Sequence, residues 1–301
     1  MTVTIRSYRG KRDYQLISDF LVEIYRVGEK PGNWLQPRWE YMHSHPLLDE
    51  GQLGKIGIWE EDGRVVGAAH YESVPGEAFF QVRPGYSHLK EEMLSYAEEH
   101  LCHQRDSGRK YLRAHINDFD REFEDIALAR GYRKKEDEPL AKSAFQVPSP
   151  FPQLTVPAGF KLLSLADEND LAKVDRVLHR GFDHPGEPPA DGIEGRRKMQ
   201  SAPNFRKDLT IIVKSPEGAY AAFCGMWFEP AGKFAYVEPV ATDPDYRRLG
   251  LGRAAVLEGI RRCGELGATI AYVGSGQDFY KSFGFRELFS RYAWTNVFNG
   301  H

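Results

Sequence analysis

Arg247, Arg248 and Arg253 flank Gly250 and Gly252 within residues 240–254, and residues of those types at that spacing suit the holding of a pyrophosphate. The two glycines lack a Cβ, so the backbone is free to take positive φ and turn successive N–H groups toward one anion. A helix starting near Arg253 would add its unpaired first-turn N–H groups and the positive end of its dipole. The three arginines supply charge and planar donors for phosphate oxygens. Two nucleotide-binding loops fit poorly. A nucleotide-hydrolase loop needs Lys-Ser/Thr after its last glycine, where this chain has Arg253-Ala254. A dinucleotide fingerprint fits Gly250-x-Gly252-x-x-Ala255 on spacing, but a polar stretch containing Pro244 precedes it and the strand expected over 268–273 carries no carboxylate.

The run Arg247-Arg248-Leu249-Gly250-Leu251-Gly252 resembles the Arg/Gln-x-x-Gly-x-Gly/Ala signature of the GCN5-related N-acetyltransferases (GNAT), and Tyr280-Lys281-Ser282-Phe283-Gly284-Phe285 resembles their later Tyr-x-x-x-Gly-Phe element. The resemblance implies acetyl-CoA as cosubstrate, bound at a splayed pair of parallel strands, with direct acetyl transfer to a primary amine. It places the pyrophosphate on Arg247, Arg248, Leu249, Gly250, Leu251, Gly252 and Arg253, and the pantetheine arm along Val240, Ala241 and Thr242. Many relatives have an asparagine before the tyrosine; here Ser275 or Gln277 would substitute. An alkylamine of pKa ~10.4 is mostly charged at neutral pH, so its deprotonation costs on the order of 4–5 kcal/mol without a base. Glu238 is the candidate base, acting through water as a glutamate often does in this family. Tyr280 is the candidate general acid for the departing thiolate, a phenol suited to donate as charge develops on sulfur.

The elements that must position these groups follow from pattern. Residues 234–240 alternate as a strand, with Phe234, Tyr236 and Glu238 on one face, and Pro239 marks a bulge or splayed edge because it cannot donate to a ladder. A helix is expected over 253–266, its buried stripe formed by Ala254, Leu257, Ile260 and Leu266. Four prolines within residues 148–157 prevent regular helix or central strand and mark a linker. The flanks repeat: strand-like segments at 3–8 and 160–165 precede amphipathic helices at 13–25 and 167–180, and hairpin signals follow around Gly63 and Gly218. Ala129-Arg130-Gly131-Tyr132 parallels Ser282-Phe283-Gly284-Phe285. The paired glycines, 63 with 218 and 131 with 284, lie 155 and 153 residues apart, the length of a domain.

The expected fold class is therefore α/β, an α+β mixed sheet: two tandem acyl-CoA N-acyltransferase domains, each a central mixed sheet flanked by helices. Residues 1–147 would form a degenerate copy, since the strand at 78–82 leads through Arg83-Pro84-Gly85-Tyr86 into a helix at 89–104 without a Gly-x-Gly. Residues 148–159 would be the linker and 160–301 the catalytic domain. Acceptor choice would lie in the Pro/Gly-rich loop 181–191, whose Asp183, Glu187 and Asp191 suit a cationic amine; His179 and His184 read as structural for want of a third ligand. Trp34, Trp39, Tyr41, His43 and His45 form an aromatic segment whose default role is packing.

At 301 residues and 41% apolar, the chain has material for two cores. A formal charge of −3 argues against a general nucleic-acid binder. Cys102, Cys224 and Cys263 are odd in number and widely spaced, so neither a disulfide framework nor a metal site is expected. The N-terminus lacks an apolar signal core and no run approaches ~20 apolar residues, so a cytoplasmic protein without membrane insertion is expected. The functional expectation is an acetyl-CoA-dependent N-acetyltransferase acting on a small-molecule amine, of amino-sugar or amino-acid type, as monomer or homodimer; the alternative is an acyl-CoA-binding sensor or scaffold with little catalysis.

Overall fold

The computed structural model describes residues 2–104 and 108–299. Its strands are β1 (Thr4–Ser7), β2 (Gly57–Glu61), β3 (Arg64–His70), β4 (Glu77–Val82), β5 (His103–Gln104), β6 (Arg109–Asn117), β7 (Arg133–Gln146), β8 (Lys161–Ser164), β9 (Ile211–Lys214), β10 (Tyr220–Glu229), β11 (Phe234–Thr242), β12 (Ile270–Val273) and β13 (Arg286–Asn299). Its α-helices are α1 (Lys11–Ile24), α2 (Gln36–Ser44), α3 (Lys90–His100), α4 (Arg121–Ala129), α5 (Leu171–Gly181), α6 (Gly192–Gln200), α7 (Leu251–Glu265) and α8 (Asp278–Lys281). Apart from the short β5, the order β-α-α-β-β-β-α-β-α-β occurs twice.

The chain divides into two compact units that do not follow the proline run. The first holds the chain up to Met42, Leu47–Ala141 and the segment from Leu288 on; the second holds His43–Pro46 and Lys142–Glu287. Residues 148–159 thus lie inside the second unit. The reason is strand pairing. β13 pairs antiparallel with β6 over nine positions, from Arg291↔Asn117 to Asn299↔Arg109, and Trp294 enters the first unit's core. In the second unit the last residues of β7 pair antiparallel with β12, from Ser143↔Val273 to Gln146↔Ile270.

Within the first unit, β1, β2, β3 and β4 run antiparallel in order, and β4 meets β6 in parallel at two positions. The β2–β3 hairpin turns through Asp62 and Gly63, both at positive φ (50° and 77°), as a tight two-residue turn requires. α1 buries Ile17, Phe20, Leu21 and Ile24, the apolar stripe read from sequence. α3 stops at His100, four residues short of expectation, and the chain turns into β5.

In the second unit the order is β8-β9-β10-β11-β12, antiparallel except for the β11–β12 pair. α7 packs its Ala255, Val256, Ile260 and Cys263 on one sheet face, against Cys224, Met226, Ala235 and Val237. α5 covers other residues of the sheet, with Val174, Val177 and Leu178 against Ile212, Tyr220, Phe223 and Ala241. α5 starts at Leu171 instead of 167, because the Asp170 carboxylate accepts from the Ala172 and Lys173 N–H groups (3.0 and 3.2 Å). Asp167 instead accepts from Ser164 N–H and Oγ (2.8 and 2.7 Å). α7 begins two residues earlier than expected and ends at Glu265, so Leu266 lies outside the buried stripe and is 45% exposed. No helix of the described residues is long and apolar enough to cross a membrane.

Candidate active site

The site begins with an interrupted ladder. β11 and β12 pair in parallel from Phe234↔Ile270 to Val237↔Val273 and no further. β11 continues to Thr242 on its β10 side, with a register shift opposite Gly225. This is the irregularity expected at Pro239, and Gly225 makes room for it: a Cβ there would sit 2.3 Å from the Glu238 carbonyl oxygen and 2.7 Å from Pro239 Cδ. The β11 edge beyond Val237 therefore carries no strand where β12 would have continued, and backbone groups on it are left for a ligand.

Beside that edge lies a cavity of about 410 Å³, lined by Gly181, Val240, Ala241, Thr242, Tyr246, Arg247, Arg248, Gly250, Leu251, Gly252, Arg253, Gln277, Phe279, Tyr280 and Ser282. Gly250 is the N-cap of α7 at φ 76° and offers no side-chain cap, so the first-turn N–H groups stay available to an anion. Arg248 also takes a left-handed conformation, φ 65°, uncommon for a side chain of its size, two residues before Gly250. Gly252 departs from expectation: it is helical, and its role is steric. A Cβ on Gly252 would lie 2.6 Å from Thr242 Oγ1 and 3.4 Å from the Phe279 ring. The close approach of α7 to β11 thus depends on this glycine, and the loop's geometry fits a pyrophosphate.

The arginines divide in role. Arg248 and Arg253 are exposed, and among the described residues neither makes an ion pair. Arg247 is engaged within the protein: its guanidinium donates to Asp183 (2.8 Å), the Gly181 carbonyl (3.1 Å) and the Thr242 carbonyl (3.3 Å). The turn before them is braced by Arg180, which binds the buried Asp243 through two nitrogens (2.7 and 3.1 Å) and Asp245 (2.7 Å). Sequence reading missed Arg180, and its only signal was a cation in the last turn of a helix. Gly181, expected only as the first residue of the 181–191 loop, has a packing role: a Cβ there would lie 2.6 Å from Ala241 Cβ. Tyr246, Phe279 and Ser282 gave no signal beyond motif proximity.

Tyr280 lines the cavity and is 7% exposed. Its ring packs edge-on against Phe279 and Phe285, and its hydroxyl has no hydrogen-bond partner among the described residues. Burial raises its pKa well above the usual tyrosine range, and the nearby Cys224 and Glu238 add to the effect.

The cavity wall excludes three expected residues. Leu249 points to solvent, 46% exposed. Ser275 lies outside the lining, its Oγ accepting from Gln277 N–H (3.2 Å), and Gln277 takes the wall position. Glu238 also stands off the wall; its Oε2 is sealed from solvent and its carbonyl accepts from Trp227 Nε1 (2.9 Å). Of the acceptor-loop carboxylates, Asp183 pairs with Arg247 and Glu187 with Arg176 (2.8 Å each), while Asp191 stands at the start of α6 without a capping bond. His179 and His184 pack ring to ring at 5.3 Å. No group of three metal-ligating side chains occurs among the described residues.

A splayed parallel pair, a glycine turn onto a helix without a side-chain cap, and a buried tyrosine thus meet at one cavity. Residues 178–285, all within the second unit, match the model of the acetyltransferase (GNAT) family, and the chain shares its fold with a tandem GNAT protein. A GCN5-related N-acetyltransferase from Sphaerobacter thermophilus superposes with a TM-score of 0.67 at 14% identity, covering 99% of this chain and 96% of that one. A tandem GNAT protein from the clavulanic acid biosynthesis pathway gives 0.66 at 15%, covering 100% and 99%. A GNAT-family acetyltransferase from Colwellia psychrerythraea gives 0.58 at 10%, covering 98% and 99%. No curated protein sequence matches the chain significantly.

Proposed function

We propose that this protein transfers an acetyl group from acetyl-CoA directly to a primary amine of a small molecule, and that the second unit performs the reaction. The observation that carries this reading is the open β11 edge beside the α7 N-terminus, with Tyr280 on the same cavity. In this reading Arg248, Arg253 and the N–H groups after Gly250 hold the pyrophosphate, and the backbone of Val240, Ala241 and Thr242 pairs with the pantetheine arm. Arg247 serves the turn more than the phosphates. Gln277 replaces Ser275 as the polar contact near the arm.

Tyr280 would donate its proton to the departing thiolate. A phenol held protonated by burial suits that task, because it is a donor across the whole working range of pH. Glu238, which stands off the cavity wall, is kept as the base acting through an intervening water. The first unit is read as a degenerate copy: between β4 and α3 it offers Arg83-Pro84-Gly85-Tyr86 in place of a glycine-paired phosphate loop.

The test is calorimetry with acetyl-CoA followed by thiol release across a panel of amino-sugars, amino acids and polyamines. Tight binding with turnover on at least one amine supports the reading. Binding without turnover on any of them favours an acyl-CoA sensor, and no binding removes the site assignment.

A further inference from the structure

β12 lies between β11 and β7, and its pairing with both ends at Val273. The loop 274–277 then has to deliver Tyr280 to the cavity. That loop is tied to β7 by a side chain. Ser143, fully buried and the ladder partner of Val273, donates its hydroxyl to the Ser275 carbonyl (2.7 Å). The bond takes over where the backbone ladder stops, and it draws the departing chain toward β7, the side opposite the open β11 edge.

From this tie the bonding runs in steps to Tyr280. Ser275 Oγ accepts from Gln277 N–H (3.2 Å), and the Gln277 carbonyl accepts from Tyr280 N–H (3.0 Å) at the start of α8. A second line reaches the same residue through rings. Phe145 stands two positions along β7 from Ser143, hence on the same face. It packs on Phe285 with 5.4 Å between centroids, and Phe285 packs on Tyr280 with 5.5 Å. Gly284, at φ 115°, permits this approach, since a Cβ there would lie 3.0 Å from the Phe145 ring. Both lines start on β7, a strand that precedes the proline run in sequence. Of the two, the hydroxyl can be removed without disturbing the aromatic packing.

We propose that Ser143 is a positioning residue for the transfer reaction: through the Ser275 carbonyl it fixes the loop that aims the Tyr280 hydroxyl at the departing thiolate. This rests on the general-acid role given to Tyr280 above. The α7 N-terminus and the β11 edge do not depend on the bond, so binding and catalysis should separate. Ser143→Ala in the full-length protein should lower kcat about tenfold, with the acetyl-CoA Kd and the amine KM within about twofold of the unaltered protein. In a Tyr280→Phe background the same change should alter kcat by less than about twofold, because the group it positions is gone. An unchanged kcat in Ser143→Ala, or a fully additive loss in the double variant, overturns the proposal while leaving the role of Tyr280 standing. If Tyr280→Phe alone leaves kcat unaltered, that role falls and the proposal with it. A readout independent of turnover is the Tyr280 signal in protein carrying ¹³Cζ-tyrosine, identified by its absence in Tyr280→Phe. It should move or broaden in Ser143→Ala, and an unmoved signal overturns the proposal even if no amine is acetylated. Should Ser143→Ala fail to fold, Ser143→Cys, similar in size and a weaker donor, should give a smaller fall in kcat, and no fall overturns the proposal.

Discussion

At the residue scale, the proposed acetyl transfer turns on the buried hydroxyl of Tyr280. Tyr280→Phe keeps the packing against Phe279 and Phe285 while removing the proton, so kcat should fall about 10²-fold with acetyl-CoA affinity unchanged. Steady-state thiol release together with calorimetry checks this, and an unaltered kcat would remove the general-acid role. Because burial lifts the phenol pKa, the tyrosine stays protonated as pH rises. The kcat profile should therefore show no falling limb from this group up to pH ~10, its ordinary value. The arginines should differ. Arg248→Ala and Arg253→Ala should each raise the acetyl-CoA Kd about tenfold and flatten its salt dependence, as expected for lost charge-assisted bonds. Arg247→Ala should weaken binding less and loosen the 181–191 loop, because its guanidinium is held by Asp183 and two carbonyls. Equal effects of all three would contradict that division. The arginines and the tyrosine were legible from motif spacing, but the internal commitment of Arg247 was not, since Asp183 lies 64 residues away.

At the element scale, the site depends on how closely α5 and α7 approach β11, and glycines set that distance. Gly252→Val should abolish acetyl-CoA binding while the protein remains folded, because added carbons meet Thr242 Oγ1 and Phe279 at the helix's first turn. Circular dichroism with calorimetry tests it; retained affinity would refute the loop assignment. Gly181→Ala presses a methyl group against Ala241 Cβ and the Thr242 backbone where α5 meets β11, and should destabilise by about 1–3 kcal/mol, measured by urea unfolding. Strands, hairpins and amphipathic helices were readable because their periods are local. Their limits were set by side-chain bonds, as at Asp170, where capping moved the start of α5. Pro239 announced an irregular strand, yet the opening itself arises from where β12 stops pairing, a fact about two segments more than thirty residues apart.

At the scale of the whole molecule, the two units each depend on chain contributed from the far side of the other in sequence. A fragment ending at Glu287 should keep acetyl-CoA binding but lose much of the first unit's stability, because it exposes the β6 edge and removes Trp294 from the core. A fragment starting at residue 148 should fold poorly, since β12 then lacks its partner residues Ser143–Gln146 and β13 has no strand to join. Limited proteolysis with calorimetry on both fragments checks this; a well-folded fragment 148–301 would show that the exchanged strands are dispensable. The sequence by itself determined the repeat, the mixed α/β class and the glycine turn ahead of α7, because these rest on local periodicity and on backbone freedom at a few glycines. Tertiary structure alone decided which strands complete which unit, which arginine is held by the protein's own groups and where Glu238 stands, because strand pairing and burial join residues that no local spacing connects.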